Sequence, residues 1–176
     1  MRKALVIVAF LLPAFLPEGA QGQVLEHEVK AAYVFRFLPF IEWPPGAFAT
    51  PQAPIAVGVL GAEEVLYEMQ DLVRGRTVQG RGVTVQRVRP GEGIAGLHVL
   101  YVGTRSVEHV ARIGPVQGLL VVSDAPYGLE AGAVVNFVRA EGRVRFEVDL
   151  DAAARRGIRV SSRMLAVASH VRQAKP

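Results

Sequence analysis

The first candidates for chemistry are the four histidines, His27, His98, His109 and His170, because imidazole serves both as general base and as metal ligand. They fall on four separate predicted elements, without a His-x-His or His-Glu-x-x-His pair, so neither a metal site nor a catalytic residue is assigned. On paper, Ser123, Asp124 and His98 could form a Ser-His-Asp set at neighbouring strand ends. The residues around Ser123 lack the glycine-flanked elbow that exposes a nucleophile. Ser123-Asp124-Ala125-Pro126 reads more simply as the turn after a central strand, with Asp124 accepting backbone hydrogen bonds. Gly91-Glu92-Gly93-Ile94-Ala95-Gly96 matches the dinucleotide-binding glycine pattern, yet it precedes a strand and no acidic residue stands about twenty positions on. It is a connector. Arg74, Arg76, Arg81, Arg87 and Arg89 come without the aromatic residues that stack on bases, so they read as solvated surface and no nucleic-acid partner is expected.

Any such residues must be positioned by a folded chain, and composition bounds what kind. The sequence has 176 residues, is 51% hydrophobic and contains no cysteine, which excludes a disulfide-stapled mini-protein and a zinc-thiolate site. The net charge of +4 is spread out: apart from Lys3, Lys30 and Lys175 every basic residue is Arg, scattered between apolar segments. Arg2 and Lys3 precede an apolar run from Ala4 to Leu16, then come Pro17, Glu18 and the small residues Gly19, Ala20 and Gly22. This predicts a secretory signal peptide over 1–22, cleaved before Gln23, and a single domain over 23–176. The apolar run is too short to cross a hydrocarbon core of roughly 30 Å, so the exported protein is expected not to be membrane-embedded.

Along that domain, Val29, Ala32, Tyr33, Phe37 and Phe40 recur at helical spacing from about Glu26, until Pro39 kinks or ends the helix. Residues Ala31 to Ile41 are apolar nearly all round, so this helix is buried on two sides or partly covered by a partner. Ile55 to Gly61 is a strand-length apolar run, and Glu63 to Val73 is helical. Strands at Val83–Gln86, Leu97–Val102 and Leu119–Ser123, with a helix at Val107–Ile113, continue the alternation. The fold class predicted is α/β, a three-layer sandwich with a mainly parallel, mixed central sheet. Val134–Val138 and Val144–Val148 form a C-terminal hairpin at or near an edge, whose exposed side near Arg143 to Asp149 would permit a symmetric dimer. Asp149 or Asp151 caps a short helix through Ala152–Ala154, and Ser161 or Ser162 caps a final helix carrying Met164, Leu165, Val167, Ala168 and Val171. Open parallel sheets bind small molecules at their strands' carboxyl ends, which makes Gly61, Gly103, Ser123 and Asp124 candidate ligand-binding residues.

Glu26-His27-Glu28-Val29-Lys30-Ala31-Ala32-Tyr33, leading to Phe40-Ile41-Glu42-Trp43-Pro44, resembles the opening of the YfiR-like periplasmic proteins. Val135-Asn136-Phe137-Val138, Gly142 to Asp149, Gly157-Ile158 and Ser161 to Leu165 resemble that family's closing signature, so the likeness covers nearly the whole exported chain. Asp149 stands where Asn is common, and the cysteines that form disulfides in some members are absent. The resemblance implies a non-enzymatic, cofactor-free periplasmic regulator. It would bind the periplasmic sensor domain of an inner-membrane diguanylate cyclase, repress cyclic di-GMP synthesis and biofilm formation, and be sequestered by a YfiB-type outer-membrane lipoprotein. For such binding, Phe37, Phe40 and Trp43, with Leu165, are expected to form an apolar patch flanked by Arg36 and Glu42, since aromatics beside Arg are favoured at interface hot spots. The alternative for each aromatic is the core. A periplasmic small-ligand binding module is the alternative function.

Overall fold

The computed structural model describes residues 25–173, and the leader expected over 1–22 lies outside them. Chain order runs α1 (Glu26–Phe37), β1 (Ile41–Glu42), β2 (Ile55–Leu60), α2 (Glu63–Leu72), β3 (Thr77–Val78), β4 (Arg81–Val88), β5 (Val99–Val102), α3 (Glu108–Ile113) and β6 (Leu120–Ser123). It ends with β7 (Val135–Ala140), β8 (Arg143–Asp149), α4 (Leu150–Arg155), β9 (Arg159–Val160), α5 (Ser162–Leu165) and β10 (His170–Arg172). Eight strands form one sheet in the order β10-β8-β7-β6-β5-β2-β4-β3, and β1 pairs with β9 in a separate two-stranded ribbon. Strands β7, β6, β5, β2 and β4 run parallel, β3 is antiparallel to β4, and β8 is antiparallel to β7 but parallel to β10.

Because side chains alternate across a strand, the apolar runs of the central strands supply two cores at once. Val57, Val59, Val99, Tyr101, Leu120 and Val122 point toward α1 and α2, where they join Val34, Phe37, Leu66 and Met69. The intervening Leu60, Leu100, Val102, Leu119 and Val121 join Val110 of α3 in a second, aliphatic cluster. This is the three-layer α/β sandwich with a mainly parallel, mixed sheet and a C-terminal hairpin. Each fully buried Val or Leu contributes roughly 1.5–3 kcal/mol of transfer free energy, which is why a continuous apolar run specifies a central strand. Aromatic rings tie α1 to the hairpin: Phe37 meets Phe146 edge-on at 4.7 Å, and Tyr33 lies 5.9 Å from Phe137. The hairpin turns through Glu141 and Gly142, both at positive φ (53° and 71°), the pairing that matches the strands' right-handed twist.

Helix α1 stops at Phe37 and tightens into a 3₁₀ turn over Leu38–Phe40, because Pro39 offers no N–H to an α-helical ladder. Its apolar girdle is mostly spent inside: Ala31, Val34, Phe37 and Leu38 are buried, and Tyr33, Phe35 and Phe40 are partly covered. Asp149 caps α4 by accepting the Ala152 N–H at 2.9 Å, as predicted.

The predicted final helix forms, with Ser161 as its cap, but stops short of Val167, Ala168 and Val171. Only Ser162–Leu165 is helical, and the chain then straightens into β10, parallel to β8. The cause is Asp149, which period two places with the outward residues of β8 but which is 2% exposed. A carboxylate at such depth needs a cation, and an extended β10 delivers the Arg172 guanidinium onto Asp149 Oδ2. The Ser169 hydroxyl and N–H, both on the Phe146 carbonyl at 2.8 Å, hold the start of that segment. The hairpin is therefore next to the edge, with β10 outermost.

Candidate functional site

The chain enters the sheet at β2, crosses to β4 on one side, then returns to β5 on the other. Such a reversal opens a crevice between the carboxyl ends of β2 and β5. Here the two strand ends approach so closely that a Cβ on Gly103 would sit 2.3 Å from the Gly61 carbonyl oxygen; only glycine fits at 103. Above them lies a cleft of about 740 Å³, walled by the first turn of α1 (Glu26, His27, Lys30), the start of α2 (Glu63, Glu64) and the loop bearing Thr104 and Arg105, with Asp124 at its floor. Gly61, Gly103 and Asp124 thus share one cleft. Ser123 lies beneath it, fully buried, its hydroxyl accepting the Ala125 N–H at 3.1 Å.

Asp124 is the centre of this site. Lys30 Nζ donates to Asp124 Oδ2 at 2.6 Å and contacts Glu26 Oε1 at 2.8 Å, while Thr104 Oγ1 donates to Asp124 Oδ1 at 2.9 Å. Lys30 and Asp124 side chains are each 12% exposed, so the pair is largely shielded from solvent. Burial pulls the Lys30 ammonium down, but hydrogen bonds to Asp124 and Glu26 and their charges more than reverse this and raise its pKa. Beneath, burial first and the Asp124 charge second hold the Tyr101 phenol far above its ordinary range. Its hydroxyl faces this carboxylate without a hydrogen bond of good geometry to any described residue.

His98 is not near Ser123 and Asp124. It precedes β5, whereas Ser123 aligns with Val102 at the other end of the same strands, so no Ser-His-Asp set is assembled. Both imidazole nitrogens are engaged by the backbone: Nδ1 accepts the Ala56 N–H at 3.0 Å, which leaves Nε2 to donate to the Ala47 carbonyl at 3.0 Å. Phe48 stacks on the ring at 4.2 Å and Trp43 lies edge-on at 6.4 Å, with the Arg81 guanidinium 3.9 Å over Phe48. Burial, aided by the Arg81 charge, outweighs the Ala47 hydrogen bond and lowers the His98 pKa. This cluster fastens the loop after β1 across the amino ends of the strands.

The residues expected to make an apolar partner surface are only partly together. Phe37 is 3% exposed and belongs to the core, and Trp43 is half-buried in the amino-end cluster. Arg36 is exposed, Phe40 and Leu165 are half-buried, and Glu42 pairs with Arg159 at 2.9 Å across the β1–β9 ribbon. The Phe40 carbonyl accepts the Ser161 N–H, and the segment that follows carries two further exposed apolar residues, Val167 (66% exposed) and, on the outermost strand, Val171. The sequence reading missed these two because it placed them on an amphipathic helix, where an apolar residue is assumed to face inward.

Among the described residues no helix is long and apolar enough to cross a membrane. Comparison with curated proteins finds no match. The YfiR/HmsC-like family, a regulatory family associated with diguanylate cyclases, matches residues 27–169, from the first turn of α1 to the residue before β10. Apart from Glu26, both blocks of the sequence resemblance fall within that span, and the chain belongs to the YfiR/HmsC-like family.

Proposed function

We propose that this protein is a non-enzymatic periplasmic regulator that binds the sensor domain of an inner-membrane diguanylate cyclase and represses cyclic di-GMP synthesis. The match over 27–169 carries this reading. The binding surface we assign is the rim formed by Arg36, Phe40, Glu42 and Leu165 together with the exposed Val167 and Val171. An apolar strip beside charged residues suits a reversible interface, with the charges setting register. A YfiB-type lipoprotein would compete for the same rim.

The test is cellular cyclic di-GMP in the host with the gene deleted, restored, and restored as Val167→Asp. Deletion should raise the level, the unaltered gene should reverse the rise, and Val167→Asp should fail to reverse it while leaving stability within about 0.5 kcal/mol, as for other exposed sites. An unchanged level on deletion would remove the cyclase reading.

The cleft above Asp124 favours a second reading, a small-ligand binding module. It has the volume and location of a metabolite site and convergent polar groups in Lys30, Thr104 and Asp124. Ligand-dependent thermal stabilisation of the isolated protein, abolished by Thr104→Val, would support it.

A further inference from the structure

Helices α1 and α2 meet with their first turns side by side, and the contact is unusual in charge. His27 of α1 stands between two carboxylates of α2: Nδ1 is 3.3 Å from Glu64 Oε2, and Nε2 is 3.8 Å from Glu68 Oε1. Glu28 joins from α1, and one ligand atom from each of His27, Glu28 and Glu68 lies within 4.8 Å of the others. The neighbouring acids are neutralised by strong cations: Glu26 by Lys30, Glu63 by Arg87 and Asp124 by Lys30. Among the described residues no Lys or Arg pairs with Glu28, Glu64 or Glu68, so three carboxylates share one imidazole. Glu64 and Glu68 are four apart on one helix, a like-charge spacing that destabilises α2 unless something positive sits between them.

We infer that this seam is a binding site for a divalent transition metal ion, with His27 Nε2 as the nitrogen ligand and Glu28 and Glu68 as oxygen ligands, while Glu64 accepts from the other ring nitrogen, Nδ1, and orients the imidazole. One imidazole with carboxylates suits zinc and its borderline neighbours better than calcium or magnesium, which prefer all-oxygen sets. His27 and Glu64 also line the cleft, so an ion has a path in and water can complete its shell. The ion would clip α1 to α2 and remove the charge deficit. Sequence spacing hides the site, because its ligands come from two helices more than 30 residues apart.

The test is titration of the untagged protein, stripped with chelator, with zinc chloride, read by calorimetry and by thermal unfolding. One equivalent should bind, and a hundredfold excess over the dissociation constant should raise Tm by roughly 5–10 °C. His27→Gln should weaken binding at least tenfold. So should Glu68→Gln, which keeps the side chain's shape at a 41% exposed position but removes the charged oxygen ligand. His170→Gln, on the exposed start of β10, should leave binding unchanged. Absence of saturable binding, or binding that survives both His27→Gln and Glu68→Gln, would overturn the assignment.

Discussion

The two ends of the parallel strands are built on opposite principles. The amino ends are closed by a loop whose aromatic residues, Trp43 and Phe48, cover His98, and both nitrogens of His98 are consumed by backbone groups. The carboxyl ends carry a charged network, Glu26–Lys30–Asp124–Thr104, at the bottom of a cleft open to solvent. In both places a titratable side chain is held by two or more partners. What separates them is whether the partners leave room for a ligand. At the amino end the hydrogen-bonding capacity of the imidazole is exhausted, so its role is structural. At the carboxyl end polar groups converge on space, which is the arrangement a binding site requires.

The comparison breaks most readily at Lys30. Lys30→Met leaves Asp124 largely buried without its cation, and urea unfolding should show a loss of about 2–3 kcal/mol, below the usual cost of orphaning a buried charge because the cleft admits water. Trp43→Ala should cost about 2 kcal/mol, less than truncation of a fully buried Trp because this one is half-buried. Salt then sharpens the contrast: in 1 M NaCl the Lys30 effect should shrink while the Trp43 effect holds, since screening acts on charges and not on packing. Equal salt responses would show that the two ends are not held differently.

The smallest effect concerns pH. The His98 pKa in the folded state lies below its unfolded value of 6.5, so the unfolded chain takes up its proton first as pH falls. Its contribution to stability is complete above pH 6.5 and is lost as pH drops through the lower folded-state value. Unfolding midpoints measured at pH 7.5 and 5.5 should fall with acidification, and the fall should be smaller in His98→Gln. An identical slope in the variant would remove His98 as the acid-sensitive clasp of the amino end.

How far such features could be read from sequence depended on their range. The strand Ile55–Leu60, the helix Glu63–Leu72 and the C-terminal hairpin were legible because burial on both faces, helical spacing and two strand runs set close together are local signals, although the strands run on to within two residues of each other. That Gly61, Gly103 and Asp124 stand at carboxyl ends of parallel strands was legible from the alternation of strands and helices, but that these ends adjoin follows from the strand order, which the fold alone shows. Lys30 was not, because nothing near it in sequence shows that α1 comes down over the strand ends. The strand at His170–Arg172 was misread as helix, because its extended form depends on a buried carboxylate more than twenty positions away.

The sequence by itself determined the layer architecture and the family, since these follow from the order and periodicity of apolar runs, and each run must bury its face against another. Only the tertiary structure decided the fate of the charged and aromatic residues. It put Phe37 in the core and left Val167 in solvent, set Lys30 on Asp124, and surrounded His27 with carboxylates from a second helix. The reason is that hydrophobic burial is nearly non-directional and can be read from pattern, whereas ion pairing and ligation act over a few ångströms and depend on how separate elements meet.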